Sequence, residues 1–182
     1  MSITKEELVQ TILVSTALFQ ERFDKDSKPD VMKRYEILQS EVEETLKAIA
    51  ENDLIEILDG YCDQMYVIGG SVDKFKDDNN LKESYLNQLK NCLNHALLYF
   101  SLECILDAFN DIHISNMSKV HLSFFHVQET FMRYKLEVKD WRIKQISETE
   151  ILVYDNSINK LLKPSNYKKA NLKPILQKYG YC

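Results

Sequence analysis

The stretch LIEILDGYCDQMYVIGG, Leu54 to Gly70, constrains the fold more than any other part of the chain. At about 100° per residue, Leu54, Leu58, Tyr61, Met65 and Ile68 share one side of a helix. Glu56, Asp59 and Asp63 fall within roughly 60° of one another on the opposite side, where Ile55, Tyr66 and Val67 border them. The helix is apolar nearly all round, except where the carboxylates stand. From Glu41 to Gly70 the chain carries eight carboxylates and one cation, Lys47, and no basic residue occurs between Lys47 and Lys74. Solvated acidic helices place Lys or Arg three or four residues away, because like charges at those spacings repel. On the preceding helix Glu41 and Glu44, three apart, project from one face. Hard oxygen donors converging from two helices suit Mg²⁺ or Mn²⁺, which take carboxylates, phosphate oxygens and water. A divalent ion holding a nucleotide's phosphates is the natural occupant. The plainer readings are a solvated face, or a docking surface for a basic partner on a non-enzymatic helical module.

With 182 residues, 45% hydrophobic side chains, four glycines and three prolines, the chain is long enough for one buried, mainly helical domain. Cys62, Cys92, Cys104 and Cys182 lack metal-type spacing, and the N-terminus lacks a basic segment followed by an apolar signal core. A reducing, cytoplasmic location is expected. No apolar run is long enough to span a bilayer, and the formal charge of −5 disfavours general adhesion to nucleic acid or anionic lipid. The charge is uneven. After Asp155 there are six lysines (Lys160, Lys163, Lys168, Lys169, Lys173, Lys178) and no carboxylate.

Periodicity predicts helices over about Lys5–Phe23 and Asp30–Glu51, the second with Ile37, Leu38, Val42, Leu46 and Ile49 as its buried stripe. Asp53 is the expected N-cap of a third helix ending at Gly69-Gly70. One long helix is expected over Leu81–Asn110 and another over Val120–Trp141, with DIHISNMSK between them. From Arg142 the period changes, and RIKQIS, ILVYD and INKLLK read as short strands, with Asp155-Asn156-Ser157 as a turn. NLKPILQKYG closes the chain as a short helix.

The ordered pair Glu41-Val-Glu-Glu44 and Glu56-Ile-Leu-Asp59, framed by "AI", a polar turn and "D…D..YV..G", resembles the all-α nucleoside triphosphate pyrophosphohydrolases of the MazG-like and phosphoribosyl-ATP pyrophosphohydrolase-like type. SNMSK (Ser115 to Lys119), KLLKPSNYKKANLKPIL and FQERF (Phe19 to Phe23) are similar to segments of phage-type members. Gly60 stands where that family more often has Glu, so Glu56 or Asp59 becomes the fourth ligand. Residues from about 74 to 94 and 121 to 150 look like insertions. The resemblance implies an all-α antiparallel bundle with a small C-terminal β-hairpin element, in a single domain over 1–182. Within it the helical core covers about 1–120, an insertion helix about 120–141, and the β element with the basic tail about 142–182.

It also implies Mg²⁺-dependent hydrolysis of a nucleoside triphosphate to the monophosphate and pyrophosphate, with Mn²⁺ able to substitute, in a homodimer or homotetramer. A dUTP-specific diphosphatase shares the acidic motifs. Glu41, Glu44, Glu56, Asp59 and Asp63 are the expected metal ligands, with Glu41 or Glu44 orienting or deprotonating water. Asn116, Lys119, Lys160, Lys163 and Tyr167 are the expected nucleotide contacts, the lysines as compact point charges. His113, His121 and His126 do not form an HxxxH pattern. Cys62 reads as a small core residue, and HLSFFHVQETFMRY as a core or oligomer surface.

Overall fold

The computed structural model describes residues 3–24, 27–157 and 160–181. The chain folds into two compact units, residues 1–113 with 171–182, and residues 114–170.

In the first unit, α1 (Lys5–Phe23), α2 (Val31–Glu51), α4 (Asn79–Ala96) and α7 (Leu172–Lys178) pack against α3 (Leu54–Lys74). α5 (Leu102–Met117) belongs to this unit as far as His113. The starts of the helices follow from local chemistry. Thr4 and Glu7 form a reciprocal capping box on α1, and Asp30, Asp53 and Asp78 accept backbone N–H groups at the starts of α2, α3 and α4. α2 stops at Asn52, whose φ of 54° is left-handed, and Asp53 restarts the chain at once. This two-residue connection folds α2 back along α3.

α3 does not end at Gly69-Gly70 but runs on to Lys74. The two glycines mark close approach instead of a stop. A Cβ on Gly69 would lie 2.8 Å from Thr16 Oγ1, and one on Gly70 2.7 Å from both Arg34 Nη2 and Gln20 Nε2. Ile57, Leu58, Met65 and Ile68 are buried, as expected of an element wrapped by its neighbours. The α2 stripe differs from expectation: only Thr45 and Ala48 are buried, and Leu46 is 59% exposed.

The span 81–110 is not one helix. α4 ends at Ala96, and the chain turns through Leu97–Ser101 with Phe100 buried. Ser101 Oγ then accepts from Cys104 N at 3.3 Å, which starts α5. α5 continues through most of DIHISNMSK to Met117, so that segment is helix and not a connection. α7 is fixed by hydrogen bonds: Lys178 Nζ donates to Asp107 Oδ2 at 2.6 Å, Tyr179 Oη to the same oxygen at 2.9 Å, and Ser101 N donates to Tyr181 Oη at 2.7 Å.

In the second unit, the helix expected over 120–141 is shorter. α6 (Phe124–Tyr134) starts at Ser123, whose Oγ accepts from His126 N, and Trp141 already lies in a strand. β1 (Trp141–Gln145), β2 (Ile151–Asp155) and β3 (Lys160–Leu161) form an antiparallel sheet in the order β1-β2-β3, with Trp141 opposite Asp155 and Tyr154 opposite Leu161. The expected turn at Asp155-Asn156-Ser157 is present, with Asp155 Oδ1 accepting from Ser157 N at 3.1 Å. The start of INKLLK, Ile158 and Asn159, lies outside the described residues. Val127, Val138, Ile151, Val153 and Leu162 make the core, flanked by Phe131, Tyr134 and Trp141. His121 is fully buried there, with Nε2 2.8 Å from Thr130 Oγ1 and Nδ1 3.2 Å from Ile151 O.

Among the described residues no helix is long and apolar enough to cross a membrane.

Candidate functional site

The two acidic helices are locked in register by small and polar side chains. A Cβ on Gly60 would lie 2.3 Å from Thr45 Oγ1, so glycine lets the two backbones approach. Gln64 Nε2 donates to Thr45 Oγ1 at 2.7 Å, and Thr45 in turn donates to Glu41 O at 2.7 Å. Nearer the other end, Arg34 Nε donates to Ser71 Oγ at 3.1 Å and Nη2 to Val67 O at 3.4 Å. These contacts bring Thr45, the residue after Glu44, against Gly60, the residue after Asp59, and against Gln64, the residue after Asp63. A Glu at position 60 would collide with Thr45.

Glu41, Asp59 and Asp63 are half-buried, and Glu44 and Glu56 are exposed. Burial, together with the charges of Asp63 and Asp59, pushes the Cys62 thiol well above its ordinary pKa, so Cys62 is an inert core residue. Among the described residues no group of three or more His, Cys, Asp or Glu side chains is drawn together closely enough to hold a metal ion. The donors nonetheless suit a hard cation in chemical type. Mg²⁺ is ordinarily held by one or two carboxylates plus water and substrate phosphates, and needs no all-protein cage.

Arg34 carries no signal in the sequence because it lies on α2, well outside the cation-free interval. In space it supplies a cation beside Val67 and Ser71, and burial lowers its pKa against the opposing pull of Asp24. The Tyr66–His113 pair is likewise absent from the sequence reading. Tyr66 follows Asp63 by one turn, and its Oη lies 3.0 Å from His113 Nδ1. A tyrosine beside an acidic stripe is visible in the sequence, but its partner comes from α5, and no local pattern announces it.

In the second unit the two motifs SNMSK and PSNYK bind each other. Ser115 Oγ and Tyr167 Oη are 2.7 Å apart, Lys168 N donates to Ser118 Oγ at 2.9 Å, and Asn166 Nδ2 donates to Val120 O at 3.0 Å. Lys119 Nζ donates to Asn116 Oδ1 at 2.5 Å, and Lys163 Nζ lies 4.9 Å above the Tyr167 ring. Asn116, Lys119, Lys163 and Tyr167 are thus gathered into one patch, with Asn116 buried and Lys163 exposed. Lys160 stands on β3 in register with Asp155. A cleft of about 570 Å³ beside α1 and the end of α3 is lined by Gln20, Glu21 and Lys74 among others, and by none of the expected site residues.

The phosphoribosyl-ATP pyrophosphohydrolase family model matches residues 6–76, which contain all five carboxylates. That segment is a domain of the MazG-like nucleoside triphosphate pyrophosphohydrolase superfamily, and it implies a pyrophosphohydrolase. No curated protein and no solved structure matches the chain.

Proposed function

We propose that this pyrophosphohydrolase acts on a nucleoside triphosphate, releasing the monophosphate and pyrophosphate, with Mg²⁺ as its ion and Mn²⁺ as a substitute. The observation that carries the reading is the carboxylate stripe itself: Glu41 and Glu44 on α2 and Glu56, Asp59 and Asp63 on α3, on packed helices inside the family-matched segment. These are the residues that would hold the ion. When bound, it supplies charge neutralisation for the phosphates and acidifies coordinated water. Glu41 or Glu44 orients the attacking water and takes its proton as the new P–O bond forms and the bridging P–O bond breaks. In the second unit, Asn116, Lys119, Lys163 and Tyr167 are proposed nucleotide contacts, and Lys160 is kept as a further phosphate contact.

We also propose a homodimer or homotetramer in a reducing, cytoplasmic setting. Val14, Leu18, Met32, Tyr35 and Leu46 on α1 and α2 are all more than half exposed, which suits burial against a second copy. Cys62, Cys92 and Cys104 are buried.

A nucleotide panel with Mg²⁺, followed by chromatography of the products, tests the reading. Monophosphate and pyrophosphate are expected. Release of orthophosphate, or no turnover on any triphosphate, overturns it.

A further inference from the structure

In the second unit, α6 is apolar on two sides. Val127 and Thr130 are buried, and Phe131 and Tyr134 pack against the same core. At about 100° per residue these four share one side of the helix, and Phe125 and Met132 fall on the other. Phe124 starts the helix, and Leu136 follows in the turn after it. Phe124, Phe125, Met132 and Leu136 are 69%, 63%, 65% and 86% exposed. Single exposed apolar side chains are ordinary, but these four are gathered on an 11-residue helix and its closing turn. At about 150–250 Å² for a large side chain, their uncovered parts come to roughly 500 Å², a patch of the size that marks a contact site.

The charges around this patch are mixed in sign. Glu129 and Glu137 balance Arg133 and Lys135, so residues 122–137 carry no net charge. An anionic lipid surface or a nucleic acid calls for one sign, and acids beside the apolar side chains repel both. The signs are instead ordered along the helix, with Glu129 ahead of Arg133 and Lys135. Two copies of α6 laid antiparallel bring Glu129 of each toward Arg133 and Lys135 of the other, and Phe125 toward Leu136. A parallel pair would set each charge against itself. Two such patches bury about 1,000 Å² together, which is what a specific pair of chains requires.

We propose that the outer side of α6 is a docking surface for a second copy of this chain, which lays its own α6 antiparallel across a two-fold axis. Phe125, Met132 and Leu136 interleave there, and Glu129 faces Arg133 and Lys135 of the other copy. This surface is separate from the α1 and α2 face proposed above for a homodimer, and two self-complementary faces on one chain close a tetramer. It does not depend on the pyrophosphohydrolase reading. The surface also reaches the proposed nucleotide contacts. Ser165 Oγ donates to Glu129 Oε2, and the next two residues, Asn166 and Tyr167, bond Val120 O and Ser115. Docking that holds Glu129 thereby steadies the segment carrying Tyr167.

Light scattering on the full chain tests the proposal by the ratio of two masses. Phe125→Glu combined with Met132→Glu, both at exposed positions, should halve the mass of the wild-type assembly, whether or not α1 and α2 also join copies. Circular dichroism identifies any variant that fails to fold. A charge exchange supplies the second arm. Glu129→Lys in one protein, and Arg133→Glu with Lys135→Glu in another, should each weaken association by about tenfold. An equimolar mixture of the two should regain the wild-type mass, because the reversed charges then face each other across copies. Side chains that act only within their own chain give no recovery on mixing. Equal masses for wild type and the Phe125 and Met132 double variant, or a mixture that does not re-associate, overturn the proposal. So does a monomeric wild type that floats with phosphatidylserine vesicles, which would assign the face to lipid.

Discussion

Acid should loosen the second unit through one side chain. His121 has 0% exposure, and its two ring nitrogens are taken by Thr130 Oγ1 and Ile151 O. Burial pushes its pKa down to about 4, against the pull of the Ile151 carbonyl, which favours the charged ring, and with a small further push from His126. The folded value lies below the unfolded one of about 6.5, so the unfolded chain binds the proton first. Stability is therefore fully present above pH 6.5 or so and drains away as pH falls toward 4. A displacement of that size is worth roughly 3 kcal/mol at its lower end, a large part of the total stability of a small unit. Hydrogen exchange at the amides of Leu152 and Val153 on β2 reports on this unit alone. Measured from pH 7.5 to 4.5, after correction for intrinsic exchange, wild type should lose protection progressively below pH 6.5. His121→Gln offers an amide donor and acceptor and does not titrate. It should start less stable by about 1–2 kcal/mol, from imperfect hydrogen bonds, and show a flatter profile. If both proteins lose protection with the same slope, His121 is not the source of the acid sensitivity and the reasoning is refuted.

Glu44→Gln keeps the volume and removes the charge, so it should abolish most turnover while circular dichroism and melting stay close to wild type. Activity near wild type with Mg²⁺ present would place the ion elsewhere. Because no three acids are gathered in advance among the described residues, Mg²⁺ alone should raise the melting temperature little. Mg²⁺ with a saturating, slowly hydrolysed triphosphate analogue should raise stability by about 2.7 kcal/mol at one hundred times Kd, and equal shifts from the two additions would contradict this. Gly60→Ala should cost about 1–3 kcal/mol in denaturant unfolding, since the new methyl meets Thr45 Oγ1 and α2 must move away. An unchanged midpoint would show that α2 and α3 can separate there at no cost.

The elements with strong local punctuation were legible in the sequence. Asp53 caps the helix that follows it, as expected, and the period change near Arg142 marks the sheet. Expectation failed where a residue's role is tertiary. Gly69 and Gly70 look like a stop, yet they admit Thr16, Gln20 and Arg34 to the face of an unbroken helix. Ser101 is an ordinary serine until its Oγ is seen capping α5 and its N–H bound to Tyr181 at the far end of the chain. Lys178 reads as part of a basic tail, but it is bonded to Asp107, so the last lysine of the run anchors a helix. The acidic stripe could be read because its ligand types, spacing and missing cations lie within one stretch. Arg34 and His113 reach α3 from other helices, and periodicity along a single helix carries no trace of them.

The chain leaves the first unit after His113 and re-enters it only at Asn171. This order matters during synthesis. The family-matched helices emerge early, but the surfaces of α3 and α5 that receive α7 wait for residues 171–182. At ~5–20 residues per second, that interval lasts several seconds, during which apolar surface stays open and the whole intervening unit can form first. Closure then depends on a contact of very high sequence separation, which is slow to find and sensitive to early chain termination. A nascent chain stalled before Leu172 would hold every carboxylate of the proposed site and still lack the helix that seals its core.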